Sequence, residues 1–207
     1  MKKLAQLQLE HFQQMEQLEL QYYSADYITP SQESYNWYRF RPDSIVAIEA
    51  DNRVVAFMNL LPVKRHVYEQ IVAGRFNDSL MTTADIEDFK QHPDCAYYFL
   101  SCVVVADTYR KSAALPTMLH HYLGMLDSVA KSGIRIHSIV MEAVTAAGNR
   151  FAKRLGMRLL CESNHDSHVY ECDYATFKRH VLARYPLPDA PLKQTKKTDS
   201  HAADDPQ

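Results

Sequence analysis

The segment AYYFLSCVVVA, residues 96–106, most constrains the fold. It is aromatic and β-branched with no alternating polar face, so it is stable as a strand only if both faces are covered, which places it inside a sheet. Leu115, Met118, Leu119, Tyr122, Leu123, Leu126 and Val129 then recur at the three- and four-residue steps of one buried helix face, and Ser132-Gly133 supplies the stop. IRIHSIVMEAV reads as the next strand. A strand, a helix of about five turns and a strand predict a right-handed crossover joining two parallel strands, with a site at the carboxyl end of the first.

The flanking segments fill in a sheet and its covering helices. DSIVAIEADNRVVAFMNLLPV reads as a hairpin turning at ADN, its second strand limited by Pro62. Residues 64–94 read as helical twice, in RHVYEQIVAG with Gly74 as C-terminal cap and in TTADIEDF with Thr82 or Thr83 as N-cap, an insertion placed to overlie a groove. TAAGNRFAKRLGM is a short helix stopped by Gly156. MRLLCES and HVYECDY follow as an antiparallel pair, and FKRHVLARY as a last helix. At the start, Leu4, Leu7, His11, Met15, Leu18 and Tyr22 mark a surface helix with one buried stripe. Tyr22, Tyr23, Tyr27, Tyr35, Trp37 and Tyr38 come next, dense enough to close a core or to wall a pocket.

A chain of 207 residues that is 46% hydrophobic supports one α/β core, expected over residues 1–185, with a disordered tail over residues 186–207. A net charge of -2 gives no broad basic footprint, so nucleic acid is not an expected partner. MKKLAQLQLEHFQQMEQLEL carries Gln and Glu where a signal peptide has its apolar core, and neither membrane insertion nor export is expected. Cys95, Cys102, Cys161 and Cys172 are too scattered for a disulfide framework, which points to a reducing cytoplasm. Cys102 reads as a buried, inert thiol, with no sequence reason to place His120, His121 or His137 beside it. Cys161, His165, His168 and Cys172 are spaced symmetrically. In a hairpin turning at Asp166-Ser167, Cys161 would oppose Cys172 and His165 would oppose His168. The two pairs would then lie about 13 Å apart, too far for one tetrahedral zinc, and no metal is expected.

Two segments, VVVADTYRKSAALPTML and IVMEAVTAAGNRFAKRLGM, resemble the GCN5-related N-acetyltransferase (GNAT) superfamily over roughly residues 44–174. The resemblance implies a mixed α/β (α+β) fold: a mostly antiparallel central sheet with one parallel strand-helix-strand crossover, flanked by helices. Residues 1–43 would be the variable acceptor-binding region. It also implies acetyl-CoA, its diphosphate held at Arg110, Lys111, Ser112, Ala113, Ala114 and Leu115. Backbone amides at a helix start and the helix dipole suit a diphosphate, and Pro116 falls in or next to the first turn, where its missing N–H loses little. The family pattern here is Arg or Gln, two residues, Gly, one residue, then Gly or Ala. Arg110 matches, whereas Ala113 and Leu115 put Cβ atoms where the family keeps small residues.

By the same resemblance the amides of Val104 and Val105 polarise the thioester carbonyl. The family's tyrosine in the short helix is Ala152 here, beside Phe151. Ser112, Thr145 or water would then protonate the departing thiolate, Thr145 also reading as a helix cap. Glu142, an isolated carboxylate near a strand end, is the candidate base, or else an edge residue or ion-pair partner. Tyr27, Tyr35 and Trp37 would line the pocket for a small-molecule or protein amine. The implied activity is direct acetyl transfer by a monomer or homodimer, the latter paired through a strand edge near Cys172. The alternative is a non-catalytic binding or regulatory module on the same fold.

Overall fold

The computed structural model describes residues 1–90, 93–164 and 166–187. Its centre is the crossover. β4 (Cys95–Val105) runs into α4 (Ala114–Lys131), which returns to β5 (Arg135–Ala143), parallel to β4. Ser132 caps α4, and Gly133 at φ 89° makes the turn that an L side chain resists. Ahead of β4, β2 (Ile45–Ala50) and β3 (Arg53–Val63) form the expected hairpin, with Asp51 and Asn52 both at positive φ as a tight turn of that hand requires. Behind β5 come α5 (Ala146–Arg154), β6 (Arg158–Glu162), β7 (His168–Cys172) and α6 (Tyr174–Arg184). β1 (Lys2–Lys3) completes a seven-stranded sheet in the order β1-β2-β3-β4-β5-β7-β6, antiparallel except at β4–β5. This is the mixed, mostly antiparallel sheet expected, with β4 in the middle.

Each sheet face carries a core. Tyr98 and Leu100 of β4 pack with Met118, Tyr122 and Leu126 of α4 on one face. On the other, Phe99, Phe57 and Leu61 meet α1 (Leu9–Glu19), α2 (Ser31–Phe40) and α3 (Arg65–Val72) through Phe12, Trp37 and Ile71. The buried Tyr122 hydroxyl donates across the sheet, 2.9 Å to Ser44 O and 2.5 Å to Met58 O, fastening α4 to β3 and to the lead-in of β2. Among the described residues no helix is long and apolar enough to cross a membrane.

Several local expectations change. The opening helix does not begin at Leu4. Lys2 and Lys3 pair with Glu49 and Ile48, and extended Gln8 starts α1 at Leu9 through the Gln8 N–H bond to His11 Nδ1 at 2.9 Å. The early aromatics form α2 after Pro30, with only Trp37 fully inward. Pro62 does not shorten β3. Its carbonyl accepts the Glu87 N–H, so its nitrogen, on the same side of the strand, turns away from β4, past the last β2 pair at Asn59, where no ladder donor is needed. TTADIEDF makes only a single 3₁₀ turn, Thr83–Asp85, opened by the mutual cap of Thr82 and Asp85 and ended where Ile86 turns extended and bridges Val63. Cys172 is not at an edge, since β7 lies between β5 and β6. Within β6–β7 an irregularity shifts the register so that Cys161 faces Val169, not Cys172. His165 and the tail from residue 188 lie outside the described residues.

Candidate active site at the split between the central strands

β4 and β5 pair only as far as Leu100–Met141, although β4 continues to Val105 and β5 to Ala143. Where the ladder ends, a cavity of about 930 Å³ opens between the strands and is lined by residues from both faces.

A bulge decides what β4 presents there. Asn59 faces Cys102 and Leu60 faces Leu100, leaving Ser101 unmatched. Before the bulge Tyr97 and Phe99 point to the α1–α3 face; after it Cys102 and Val104 do. One extra residue therefore moves Cys102 from the face it would have had by simple alternation to the opposite one. The Ala106 N–H donates to Val55 O at 2.9 Å. By antiparallel alternation, the amides of Val105 and Val103 turn into the split, while that of Val104 belongs to the β3 ladder. Of the two amides expected there, Val105 has Val103 as its companion, and Val104 contributes to the cavity wall.

The α4 face of the cavity is cationic. Arg110, Lys111, Arg150 and Arg154 all line it. Arg110 is held by Asp107 at 2.7 Å and stands 5.3 Å from the centre of the Tyr22 ring, whose hydroxyl also donates to Asp107. The Ser112 hydroxyl donates to Tyr109 O at 2.6 Å and accepts from the Ala114 N–H at 3.1 Å. Pro116 is the third residue of α4, inside the first turn. Among the described residues the amides of Lys111, Ala113 and Leu115 have no hydrogen-bond partner at this helix start. Open amides, a helix dipole and flanking cations are what a diphosphate requires, and Leu115 narrows the same wall.

Thr145 caps α5 by accepting the Gly148 N–H at 3.0 Å, which leaves its own hydroxyl hydrogen to donate. Ala152 is buried and Phe151 lines the cavity, so α5 offers no hydroxyl at either position. Glu142 also lines the cavity, with its Oε1 taking hydroxyl donors from both Ser163 and Ser167.

The α1–α3 face is different. Glu19, the last residue of α1, accepts the Cys102 thiol at 2.9 Å. Burial pushes this carboxyl from 4.5 up to about 7, with Asp78 and Glu16 adding to the rise and the thiol bond opposing it. Burial and Glu19 together push the Cys102 thiol well above its ordinary value, so it stays protonated. His120 bonds Tyr185 O, His121 sits against Lys3 and His137 packs on Tyr97, so none of the three serves Cys102. Trp37 Nε1, Asn59 Oδ1 and Ser101 Oγ are buried without a partner, and all three residues line the cavity. Tyr27 is at the mouth. Tyr35 packs between Phe12 and Tyr38, whose ring centres are 5.4 and 6.5 Å away, and is not part of the wall. Among the described residues no cluster of His, Cys, Asp and Glu could hold a metal.

Glu19 and Asn59 were not among the sequence candidates. Asn59 left a trace, as the lone polar residue inside the apolar run VVAFMNLLPV. Glu19 left none, being one of several acids in a polar helix.

No protein-family profile and no curated sequence matches the chain. Solved structures match its fold. NAA60 from Arabidopsis thaliana, in complex with acetyl-CoA, is 13% identical with a TM-score of 0.54, over 84% of this chain and 99% of that one. The loading GNATL domain of CurA from Lyngbya majuscula is 13% identical at 0.53, over 89% and 100%. The GphF GNAT-like decarboxylase, in complex with isobutyryl-CoA, is 12% identical at 0.52, over 84% and 99%.

Proposed function

We propose that this chain, which has the fold of the GCN5-related N-acetyltransferase superfamily, transfers an acetyl group from acetyl-CoA directly to an amine. The observation that carries the proposal is one cavity crossing the sheet at the β4–β5 split, with open helix amides and cations on one side and a desolvated carboxylate on the other. Acetyl-CoA would supply the acyl group: the amine nitrogen gains a bond to the carbonyl carbon, the C–S bond breaks, and the sulfur leaves as thiolate.

Arg110, Lys111 and the amides of Ala113 and Leu115 would hold the diphosphate. The amides of Val103 and Val105 face the split and would polarise the acyl carbonyl. The amine must be neutral to attack, so its proton needs an acceptor. Glu19, poised near neutral pH on the acceptor side, fits this role better than Glu142, whose Oε1 is occupied by two hydroxyls. Thr145 keeps a hydrogen for the thiolate, whereas the Ser112 hydrogen is already given to Tyr109 O. The Cys102 thiol, held protonated beside an acid, is no nucleophile, which favours direct over covalent transfer.

Leu115 in the cradle wall is what the non-catalytic reading predicts. Calorimetric titration with acetyl-CoA, repeated on Arg110→Ala and Leu115→Asp, separates the readings when paired with an amine screen. Micromolar binding, weakened about tenfold or more in both variants, supports the cofactor site. Binding without turnover on any amine would leave the module reading, and no heat at millimolar acetyl-CoA would refute acetyl transfer and leave a regulatory module whose partner lies elsewhere.

A further inference from the structure

The diphosphate cradle accounts for Arg110 and Lys111 at the start of α4 but leaves two further cations without a role. Arg150 and Arg154 belong to α5 and line the same cavity. Four residues apart, they share one helix face, about 6 and 12 Å along its axis from Ala146, which opens α5 next to the split. Arg110 is tied to Asp107 at 2.7 Å, whereas among the described residues neither Arg150 nor Arg154 pairs with a carboxylate. Two unpaired guanidiniums one turn apart repel each other and favour an anion between them.

Arg154 is also held in place. Its guanidinium carbon stands 5.3 Å from the centre of the Tyr185 ring, and Tyr185 borders the cavity just beyond the end of α6. Tyr185 is itself fixed at three points. Its N–H donates to Val181 O at 2.9 Å, its carbonyl accepts from His120 Nε2 at 2.9 Å, and its ring meets that of Phe151 edge-on, the centres 6.3 Å apart. Burial pushes the phenol up, against the pull of the Arg154 and Arg184 charges, so it stays neutral and cancels none of the charge on Arg154. A ring under a guanidinium fixes its plane and leaves its N–H donors free to reach a ligand. Two arginines with free donors match a phosphate monoester, which carries about 1.5 to 2 negative charges and three acceptor oxygens. Acetyl-CoA bears one such group, on its ribose, beyond the diphosphate that the α4 start would hold.

We propose that Arg150 and Arg154, the latter positioned by Tyr185, bind the ribose phosphate monoester of the acyl donor. The donor is then the free nucleotide thioester and not the same pantetheine arm carried on a protein, which lacks that phosphate. This rests on the acetyl-CoA reading for the identity of the donor, but the discrimination it predicts is one of binding and needs no turnover.

The test is calorimetric titration of the full chain with acetyl-CoA, with acetyl-dephospho-CoA, which lacks only the ribose phosphate, and with S-acetyl-phosphopantetheine, which lacks the whole nucleoside. Acetyl-CoA should bind about tenfold or more tightly than either of the others. The Arg150→Gln/Arg154→Gln double variant, with an unchanged circular dichroism spectrum, should bind acetyl-CoA only as tightly as acetyl-dephospho-CoA, and its affinity for the latter should stay within about threefold of the parent's. Tyr185→Leu leaves both arginines in place yet should lower the preference, whereas Tyr185→Phe, which keeps the ring under Arg154, should retain most of it. Equal affinity of the parent for acetyl-CoA and acetyl-dephospho-CoA would overturn the proposal and leave the transfer reading standing. A preference that survives loss of both arginines would overturn it as well, and so would S-acetyl-phosphopantetheine binding as tightly as acetyl-CoA. An unchanged preference in Tyr185→Leu would refute the positioning role of Tyr185. No binding of any of the three thioesters would sink the transfer reading and this inference together.

Discussion

Replacing Glu19 with Gln should stabilise the fold at alkaline pH while removing the reaction. Burial lifts this carboxyl from 4.5 to about 7, so the folded chain holds the proton more tightly than the unfolded chain does. Its stabilising contribution is therefore complete below the unfolded value of 4.5 and is lost as pH rises through about 7. A displacement of this size corresponds to about 3 kcal/mol, which water entering through the cavity lowers to about 1–3 kcal/mol. Gln has nearly the same shape and can still accept the Cys102 thiol, but it carries no charge to desolvate. At about pH 8 the variant should exceed the parent by about 1–3 kcal/mol, and at about pH 4 the two should agree within about 0.5 kcal/mol. Urea denaturation followed by circular dichroism across this range measures both. If Glu19 is the base, kcat/KM for the best amine should fall by about 10²–10⁴ in the same variant. An unchanged pH slope, or a loss of stability at every pH, would refute the desolvation argument. An unchanged rate would refute the base assignment.

Three other outcomes follow from particular contacts. Cys102→Ala should keep most of the activity, and incubation with acetyl-CoA should leave the intact mass of the parent unchanged, because the thiol stays protonated; an adduct of acetyl mass on Cys102 would revive covalent transfer. Tyr122→Phe should cost about 1–3 kcal/mol in urea denaturation, since it strips the donor from Ser44 O and Met58 O inside the sheet, and a loss below about 0.5 kcal/mol would mean that water replaces it. Gly74→Ala should destabilise by about 1–3 kcal/mol: φ is 66° and the new Cβ would stand 2.9 Å from the backbone oxygen of Glu162, which cannot rotate away.

What could be read from the sequence shows in the crossover. The unbroken apolar run of β4, the stripe of α4 and the Ser-Gly stop depend on residues within a few positions of each other, and each appears where the spacing placed it. Arg110, Lys111 and Pro116 were legible for the same reason, since a helix start is a local event. TTADIEDF misled because its local cap was sound while the residues after it, from Ile86, are drawn extended onto the end of β3, a pairing set by tertiary structure. Pro62 misled because its effect depends on which side of the strand faces a partner, and that is set by β2 and β4 together.

The functional side chains divide in the same way. Glu142 and Thr145 stood out as isolated polar residues at the end of an apolar strand, and both border the cavity. Glu19 could not stand out. It lies 83 residues from Cys102 in the chain, and the two meet only because the Ser101 bulge reverses which β4 side chains face α1. The sequence by itself determined the order of strands and helices from β2 and β3 through the crossover to α6, the buried stripe of α4 and the cationic helix start, because hydrophobic periodicity and capping act between near neighbours. Tertiary structure alone decided where the central ladder ends, which amides turn into the split and which carboxylate is desolvated. Register and dielectric environment are set by atoms distant in the chain, and no local pattern encodes them.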